Sequence, residues 1–424
     1  MKIVLLILLL CSSLVANAET PFRVSKIVLS GNRVTKPWVI ERELRFQVND
    51  SISTADLEKA KLRLLSLAIF NNVRVENDAN GVVTVHVSEQ FRFIPILNAD
   101  PVEGSLNDAL KDPGSLMDIV VFTAGVADIN HRGNAGMVGV LTEFGARTGL
   151  SVQYRTRWLA RNKPVALLMG VYSLKISDRH ASVNGLSRRL RNNGAYVDVA
   201  TRRGAASRLG IQLRFDHVEE RDTAPAAGYR HDVGWVSPYF ILDRRDLEWY
   251  PTNGMFMRGD VDQAFGSVQF VRSRLSASTY LPFTKGLRPF VLAARAYGGT
   301  LQDATPPWAR YYFGFSDKFR GYASTQIEAA NFLAGELELR FPITREVTYD
   351  VPLVGRYGED IPFWLGGALF FERAQTQLDG TRNDIYAYGA ALHVRFPYVQ
   401  VIEMSTAYNR ENELDIVFET GVRF

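Results

Sequence analysis

From about Phe91 to Phe424, apolar and polar residues alternate with a period of two, in segments of about ten residues separated by polar turns that carry Gly and Pro. In Leu150 to Ala160, the residues Leu150, Val152, Tyr154, Thr156 and Trp158 fall on one face, and Gln153, Arg155 and Arg157 on the other. In Arg208 to Asp216, Leu209, Ile211, Leu213 and Phe215 oppose Arg208, Gln212, Arg214 and Asp216. Gly335 to Phe341, Tyr388 to Phe396 and Asp415 to Phe424 repeat the pattern; in the last, Ile416, Phe418, Thr420, Val422 and Phe424 oppose Asp415, Glu419 and Arg423. Strands of this kind suit lipid on one side and water on the other. In hydrocarbon every backbone donor and acceptor must pair internally, so such strands cross only as a closed sheet. A soluble β-sandwich is the competing fold, but strand length, the 25 Phe and 17 Tyr and the final Phe favour a transmembrane antiparallel β-barrel over residues 91–424. At roughly twenty residues per strand and turn the region holds about sixteen strands, with twelve or fourteen as alternatives. Asn98 to Leu116 is too polar to span a membrane, so the first strand is expected before or after it.

The remaining features narrow the class. Met1-Lys2, the apolar run Ile3 to Leu10 and Ala16-Asn17-Ala18 predict a secretory signal peptide over residues 1–18. No later stretch has about 18 uninterrupted apolar residues, which excludes a helical membrane bundle. Cys11 is the single cysteine and lies in the leader behind a bulky Leu10, so the mature chain has neither disulfide nor thiolate metal site and lipid attachment is not expected. The net charge is +4, but the cations are interspersed with apolar residues and form no basic block, so nucleic acid is not an expected partner. The six His are scattered. His217-Val218-Glu219-Glu220 and His231-Asp232 could be read as acid/base or metal clusters, but neither has the spacing of a helix-borne site. A phosphate-cradling Gly-x-x-x-x-Gly-Lys-Ser/Thr segment is absent. The expectation is a non-enzyme without catalytic residues, metal or cofactor.

Between the leader and the barrel, residues 22–90 read as a compact α+β unit. Val24 to Ser30 predicts a strand with Gly31-Asn32 as its turn; Thr35 and Pro37 open a helix with Ile40 and Leu44 on one face. Ser53-Thr54-Ala55-Asp56 is a capping-box pattern before a stripe of Leu57, Ala60, Leu64, Leu65 and Ala68. Val73 and Val75, then Val83, Val85 and Val87, alternate across Asp78-Ala79-Asn80-Gly81 as a hairpin. The order strand, helix, helix, strand, strand predicts a three-stranded sheet with helices on one face. Ile27 to Asn32, Leu64 to Val73 with Phe70-Asn71-Asn72, and Val85 to Glu89 together resemble a POTRA domain. That resemblance implies a periplasmic module that contacts polypeptides by strand addition to a sheet edge, a mode that uses main-chain groups.

Motifs along the barrel region carry a second resemblance. Phe319-Arg320-Gly321-Tyr322, after Pro306-Pro307, resembles the Val/Phe-Arg-Gly-Phe/Tyr signature of the BamA and TamA superfamily. Gly125 to Asn130 resembles the turn after that family's first strand, and Asp243-Arg244-Arg245-Asp246 through Pro251-Thr252-Asn253-Gly254 its mid-barrel element. Glu338-Leu339-Arg340-Phe341-Pro342 resembles its Glu-x-Arg-x-Pro strand, and Phe370-Phe371-Glu372 its acidic strand, with Glu where the family often has Asp. The resemblance implies that Phe319 to Tyr322 lie in a loop folded back into the lumen. An arginine brought into a partly dehydrated lumen needs acceptors, and Glu338 and Glu372 are the candidates. Phe418, Val422 and Phe424 form the terminal-strand signature. The resemblance further implies an outer-membrane assembly or translocation factor, with unfolded or partly folded client polypeptides and outer-membrane lipid as partners and a seam between first and last strands that receives client strands. Periplasmic accessory proteins are compatible with it, although no residue identifies one. An exporter of one dedicated substrate, as in two-partner secretion, and a passive diffusion porin are the alternatives.

Overall fold

The computed structural model describes residues 21–420 except 102–116, 118–119, 162, 179–187, 204–206, 223–227, 285–288, 303–304, 314–318, 323–326 and 397–399. The expected signal peptide, Val422 and Phe424 lie outside the described residues.

The N-terminal unit runs β1 (Phe22–Arg23), β2 (Lys26–Ser30), α1 (Pro37–Leu44), β3 (Ser51–Ile52), α2 (Thr54–Leu65), β4 (Phe70–Asn77) and β5 (Val82–Glu89). Its main sheet has the order β2-β5-β4, with β2 parallel to β5 and β4 antiparallel to it. Val39, Ile40 and Leu44 of α1, Leu57, Ala60 and Leu64 of α2, and Val73, Val83, Val85 and Val87 of the sheet form one buried core. Burial of such side chains is worth about 1.5–3 kcal/mol each. Ser53 opens α2 as the capping box requires, donating from both its N–H and its hydroxyl to Asp56 Oδ2 at 3.1 and 2.9 Å. Thr35 does not cap α1; the N-cap is Lys36. The Thr35 hydroxyl instead accepts from Asn130 Nδ2 of the barrel at 2.9 Å, and its N–H donates to Glu89 at 2.7 Å. Ala68 falls beyond α2, in a turn with φ +57°.

The chain then enters a closed antiparallel barrel. Its strands are β6 (Phe93–Pro101), β7 (Val120–His131), β8 (Gly136–Gly145), β9 (Arg147–Thr156), β10 (Val165–Asp178), β11 (Arg188–Arg203), β12 (Ser207–Asp222), β13 (Gly228–Asp243), β14 (Gly254–Gly266), β15 (Phe270–Pro282) and β16 (Val291–Leu301). A long connection containing a small ladder of β17 (Tyr311–Phe313) and β18 (Ile327–Ala329) leads to β19 (Asn331–Pro342); β20 (Val347–Tyr349), β21 (Ile361–Leu378), β22 (Thr381–Phe396), β23 (Gln400–Asn409) and β24 (Leu414–Thr420) complete the chain. Sixteen of these strands are full staves, as the alternation predicts; β20 adds three residues beside β21, and β24 is the neighbour of β6.

The alternation sorts as expected along the strands, except that Thr156 at the end of β9 is buried and Trp158 beyond it turns over the inward-facing Arg202. Leu209, Ile211, Leu213 and Phe215 of β12 are exposed on the outer face, as are Leu150 and Val152 of β9 and Leu333 and Leu337 of β19. Glu336, Glu338 and Arg340 of β19 are buried inside. Two expectations are corrected. Asn98, Ala99 and Asp100 belong to β6, where pairing with Thr123, Phe122 and Val121 satisfies the backbone regardless of side-chain polarity. Gly125 to Asn130 form no turn but lie within β7, hydrogen-bonded to both neighbouring strands. The turn follows at 132–135, where the Asn130 carboxamide oxygen accepts from Ala135 N–H at 2.9 Å. Gly133, at φ +70°, comes so close to the Val34 carbonyl that a Cβ would stand 2.2 Å from that oxygen.

Since β6 leaves the N-terminal unit, the turns after β7, β9 and β13 and the β19–β21 connection all lie at that end of the barrel. The unit docks on each of them. Lys36 N–H donates to Gly133 O at 3.0 Å, Arg157 to Ser66 O at 2.9 Å, Glu248 N–H to Ser66 Oγ at 3.3 Å and Asn71 Nδ2 to Tyr357 O at 2.8 Å. The Ser88 hydroxyl donates to Asp360 at 2.8 Å.

Candidate functional site

The connection between β16 and β19 folds into the lumen and places Phe319, Arg320, Gly321 and Tyr322 against the inner wall. Phe313, Phe319, Tyr322 and Phe332 anchor it in an apolar cluster with Ala374, Ile385 and Ala387. The rings of Phe319 and Tyr322 pack edge to face at 5.7 Å, and the Tyr322 hydroxyl donates to Glu411 at 3.2 Å. Gly321 takes φ +84°, which lets the backbone turn back against the wall.

This anchoring buries Arg320 almost completely, at 1 % exposed. A buried guanidinium requires paired carboxylates and filled donors. Arg320 Nε donates to Glu372 Oε1, and its main-chain N–H donates to Glu372 Oε2 at 3.0 Å. Arg320 Nη1 donates to Glu338 at 3.2 Å and to Glu403 at 3.1 Å. The guanidinium also lies 3.5 Å from the ring centre of Phe370, which settles over Gly389, where a Cβ would stand 2.8 Å from the ring. One cation thus joins β19, β21 and β23. The expected partners Glu338 and Glu372 are both in contact with it, and the longer Glu372 serves two donors at once.

Sequence reasoning missed Glu403. It sits on the inward face of β23, between Val401 and Ser405, and that alternation was readable; its partner was not, because the meeting depends on strands that are not neighbours. It also missed the layer beneath. Arg340 donates to Glu338 at 2.6 Å and to Pro251 O at 3.2 Å, while Tyr250 meets His393 at 3.2 Å and packs on Trp364 at 4.7 Å. Tyr250 and Pro251 come from the turn between β13 and β14, within the Asp243 to Gly254 motif. Asp246 holds that turn, accepting from Thr252 N–H at 2.9 Å. A cleft of about 670 Å³ between α2 and the barrel mouth, lined by Leu62, Leu65, Trp249, Tyr250 and Trp364, reaches Arg340.

The two histidine clusters meet across the β12–β13 ladder. Strand pairing brings His217 Nδ1 within 2.6 Å of Asp232, but among the described residues no group of three metal-ligating side chains converges. Phe418 stands exposed on β24, paired in register with Met404.

Residues 130–424, from the end of β7 through the rest of the barrel and its lumen loop, match the Omp85 superfamily domain, more than half of the chain. The chain belongs to the Omp85 superfamily. A POTRA model, the surface antigen variable number repeat, matches residues 22–90. The Omp85 fold recurs in BamA from Haemophilus ducreyi lacking POTRA domains 1–3, at 14 % identity and TM-score 0.55, covering 94 % of this chain and 83 % of that one. It recurs in CdiB from Acinetobacter baumannii at 11 % identity and TM-score 0.53, covering 94 % and 73 %, and in CdiB from Escherichia coli at 11 % and 0.53, covering 98 % and 92 %. No curated protein matches the chain. As an Omp85 protein it resides in the bacterial outer membrane with its POTRA domain in the periplasm, among proteins that insert or secrete polypeptides.

Proposed function

We propose that this Omp85 protein inserts client polypeptides into the outer membrane or passes them across it, using the POTRA domain to receive an unfolded or partly folded chain and the barrel to deliver it. The observation that carries this reading is Arg320 bonded to Glu372, Glu338 and Glu403 on three staves, which seats a loop inside the lumen. A lumen filled in this way is poorly suited to free diffusion. We assign Phe319 to Tyr322 with Glu338 and Glu372 to holding that loop. The β2 edge, which among the described residues pairs only with β5 on its other side, supports strand addition by a client. Client folding supplies the driving force, and the role is non-enzymatic. Periplasmic accessory proteins fit the architecture as further partners.

The test is depletion of the protein in its native bacterium, with outer-membrane and secreted proteomes compared by quantitative mass spectrometry and small-solute uptake measured alongside. Loss of particular barrels supports insertion, and loss of one secreted protein supports dedicated export. Unchanged proteomes with reduced uptake would replace this reading with a pore.

A further inference from the structure

The wall facing the Arg320 cluster across the lumen carries charge of the opposite sign. Arg202 of β11 and Arg208 of β12 are direct partners in the ladder. Their neighbours Thr201 and Leu209 are exposed on the outer face, so both arginines point inward. Like charges directly opposite one another destabilise a strand pair. On the acidic wall the same arrangement, Glu336 opposite Glu372, is compensated: Arg295 stands 3.6 Å from Glu336 and Arg320 binds Glu372.

Neither arginine of this pair has a carboxylate in direct contact among the described residues. Arg202 is 7 % exposed and makes no ion pair among the described residues; its Nε and Nη1 have no hydrogen-bond partner there, nor has Arg208 Nε. Arg202 is covered by the Trp158 ring at 5.7 Å, and that ring also carries Arg42 of the POTRA domain at 4.8 Å. Arg155 of β9 is exposed toward the lumen, where its Nη2 donates to Met137 Sδ at 3.9 Å. The carboxylates whose fields reach these arginines are already engaged: Glu248 with Arg157 at 3.1 Å, Asp198 with the Tyr239 hydroxyl at 2.7 Å and Glu43 with Arg42 at 3.2 Å. Guanidinium groups that pair directly with no carboxylate raise the local attraction for an incoming anion.

We propose that Arg155, Arg202 and Arg208 form a binding site, at the periplasmic mouth of the lumen, for the carboxylates of an extended acidic segment of a polypeptide. Guanidinium forks match carboxylates in bidentate geometry. The site faces the lumen beside the POTRA domain, where a chain arriving from the periplasm enters, whereas a lipid phosphate would meet the apolar outer face. The choice of a polypeptide rests on the function proposed above; the anion preference does not.

The experiment uses the full chain in detergent micelles and the fluorescence anisotropy of two labelled peptides, one with Asp at alternate positions and one with Asn in their place. Inorganic phosphate serves as the free-anion probe. The acidic peptide should bind, salt should weaken it, and R202Q/R208Q should weaken it at least about ten-fold. R202K/R208K should retain part of the binding. Heat-modifiable electrophoretic migration verifies that each variant is a folded barrel. Equal binding of the Asp and Asn peptides, or acidic-peptide binding unchanged in folded R202Q/R208Q, would overturn the site. Arginine-dependent phosphate binding without peptide binding would overturn the polypeptide assignment. Because this assay involves no cell, unchanged proteomes on depletion together with arginine-dependent peptide binding would remove the transport reading and leave the site standing.

Discussion

Arg157, in the turn after β9, donates to the main-chain carbonyl of Ser66 just beyond α2, at 2.9 Å, and the same guanidinium pairs with Glu248 at 3.1 Å. Glu248 in turn donates its N–H to the Ser66 hydroxyl. One three-residue junction therefore fastens the POTRA helix pair to two periplasmic turns of the barrel.

R157A should loosen this junction while leaving the barrel folded. Hydrogen exchange at residues 62–68 and 246–250 is expected to rise, with barrel strands unchanged; equal protection in both proteins would show that the junction carries no docking energy. The junction should also respond to acid. Burial opposes ionisation of Glu248, but Arg157 and Arg208 outweigh it and hold its carboxyl below the usual range. A carboxyl depressed on docking contributes fully above its undocked value, about 4.3 for Glu, and the contribution fades as pH falls through the lower docked value. Exchange at residues 62–68 should therefore be flat from neutral pH to about 5 and rise below about 4, after correction for intrinsic rates.

Arg320→Ala removes the cation shared by three buried carboxylates. Stranding buried charge costs about 3–5 kcal/mol, so the temperature at which the barrel loses its fast, folded electrophoretic migration should drop. E372Q should be milder, since Glu338 and Glu403 still hold Arg320. Combining R320A with E372Q should recover part of the loss; a midpoint for R320A equal to that of the parent would show that these contacts contribute nothing.

Gly321 and Gly380 both have positive φ, +84° and +82°, but only Gly321 is confined: a Cβ there would stand 3.0 Å from Ala387 Cβ, while Gly380 has nothing within 4 Å. G380A should cost about 1 kcal/mol from backbone strain alone, and G321A more, within about 1–3 kcal/mol. Thermal midpoints of the two variants side by side test this, and equal losses would contradict the tight seating of the loop.

Leu213 is exposed on the lipid face of β12, and Gln212 beside it points inward. Leu213→Arg should destabilise the folded barrel in lipid vesicles by about 2–4 kcal/mol, whereas Gln212→Arg should change it by no more than about 0.5 kcal/mol. Urea titrations with tryptophan fluorescence distinguish them, and the reverse order would invert the assignment of faces.

The period-two pattern made the barrel legible because a two-faced strand has two solvents, and each side chain reports which one it meets. The POTRA core was legible for a similar reason, since Leu57, Ala60 and Leu64 repeat at helical spacing. Glu338 and Glu372 could be named because the family resemblance puts Arg320 in the lumen, where a partly dehydrated cation demands acceptors. Glu403 and the Arg202–Arg208 pair could not, since strand register across the ring decides which lumen side chains meet. The polarity of Asn98 to Asp100 does not end the strand, because the ladder to β7 satisfies the backbone whatever the side chains are. The POTRA docking contacts escaped for another reason: many join main-chain groups, such as the carbonyls of Ser66, Gly133 and Tyr357, which carry no side-chain signature.

One guanidinium shared by β19, β21 and β23 also governs how the lumen loop leaves. Glu338 keeps Arg340 as a counter-ion, but the bonds to Glu372 and Glu403 cannot be given up at low cost, because a partly released state leaves a desolvated carboxylate deprived of the Arg320 charge. Intermediate positions of the loop are therefore disfavoured against the seated and the withdrawn ones. Electrical recordings across a planar bilayer should accordingly resolve discrete steps between two current levels, with dwell times set by this cluster, in place of a continuum of sub-levels.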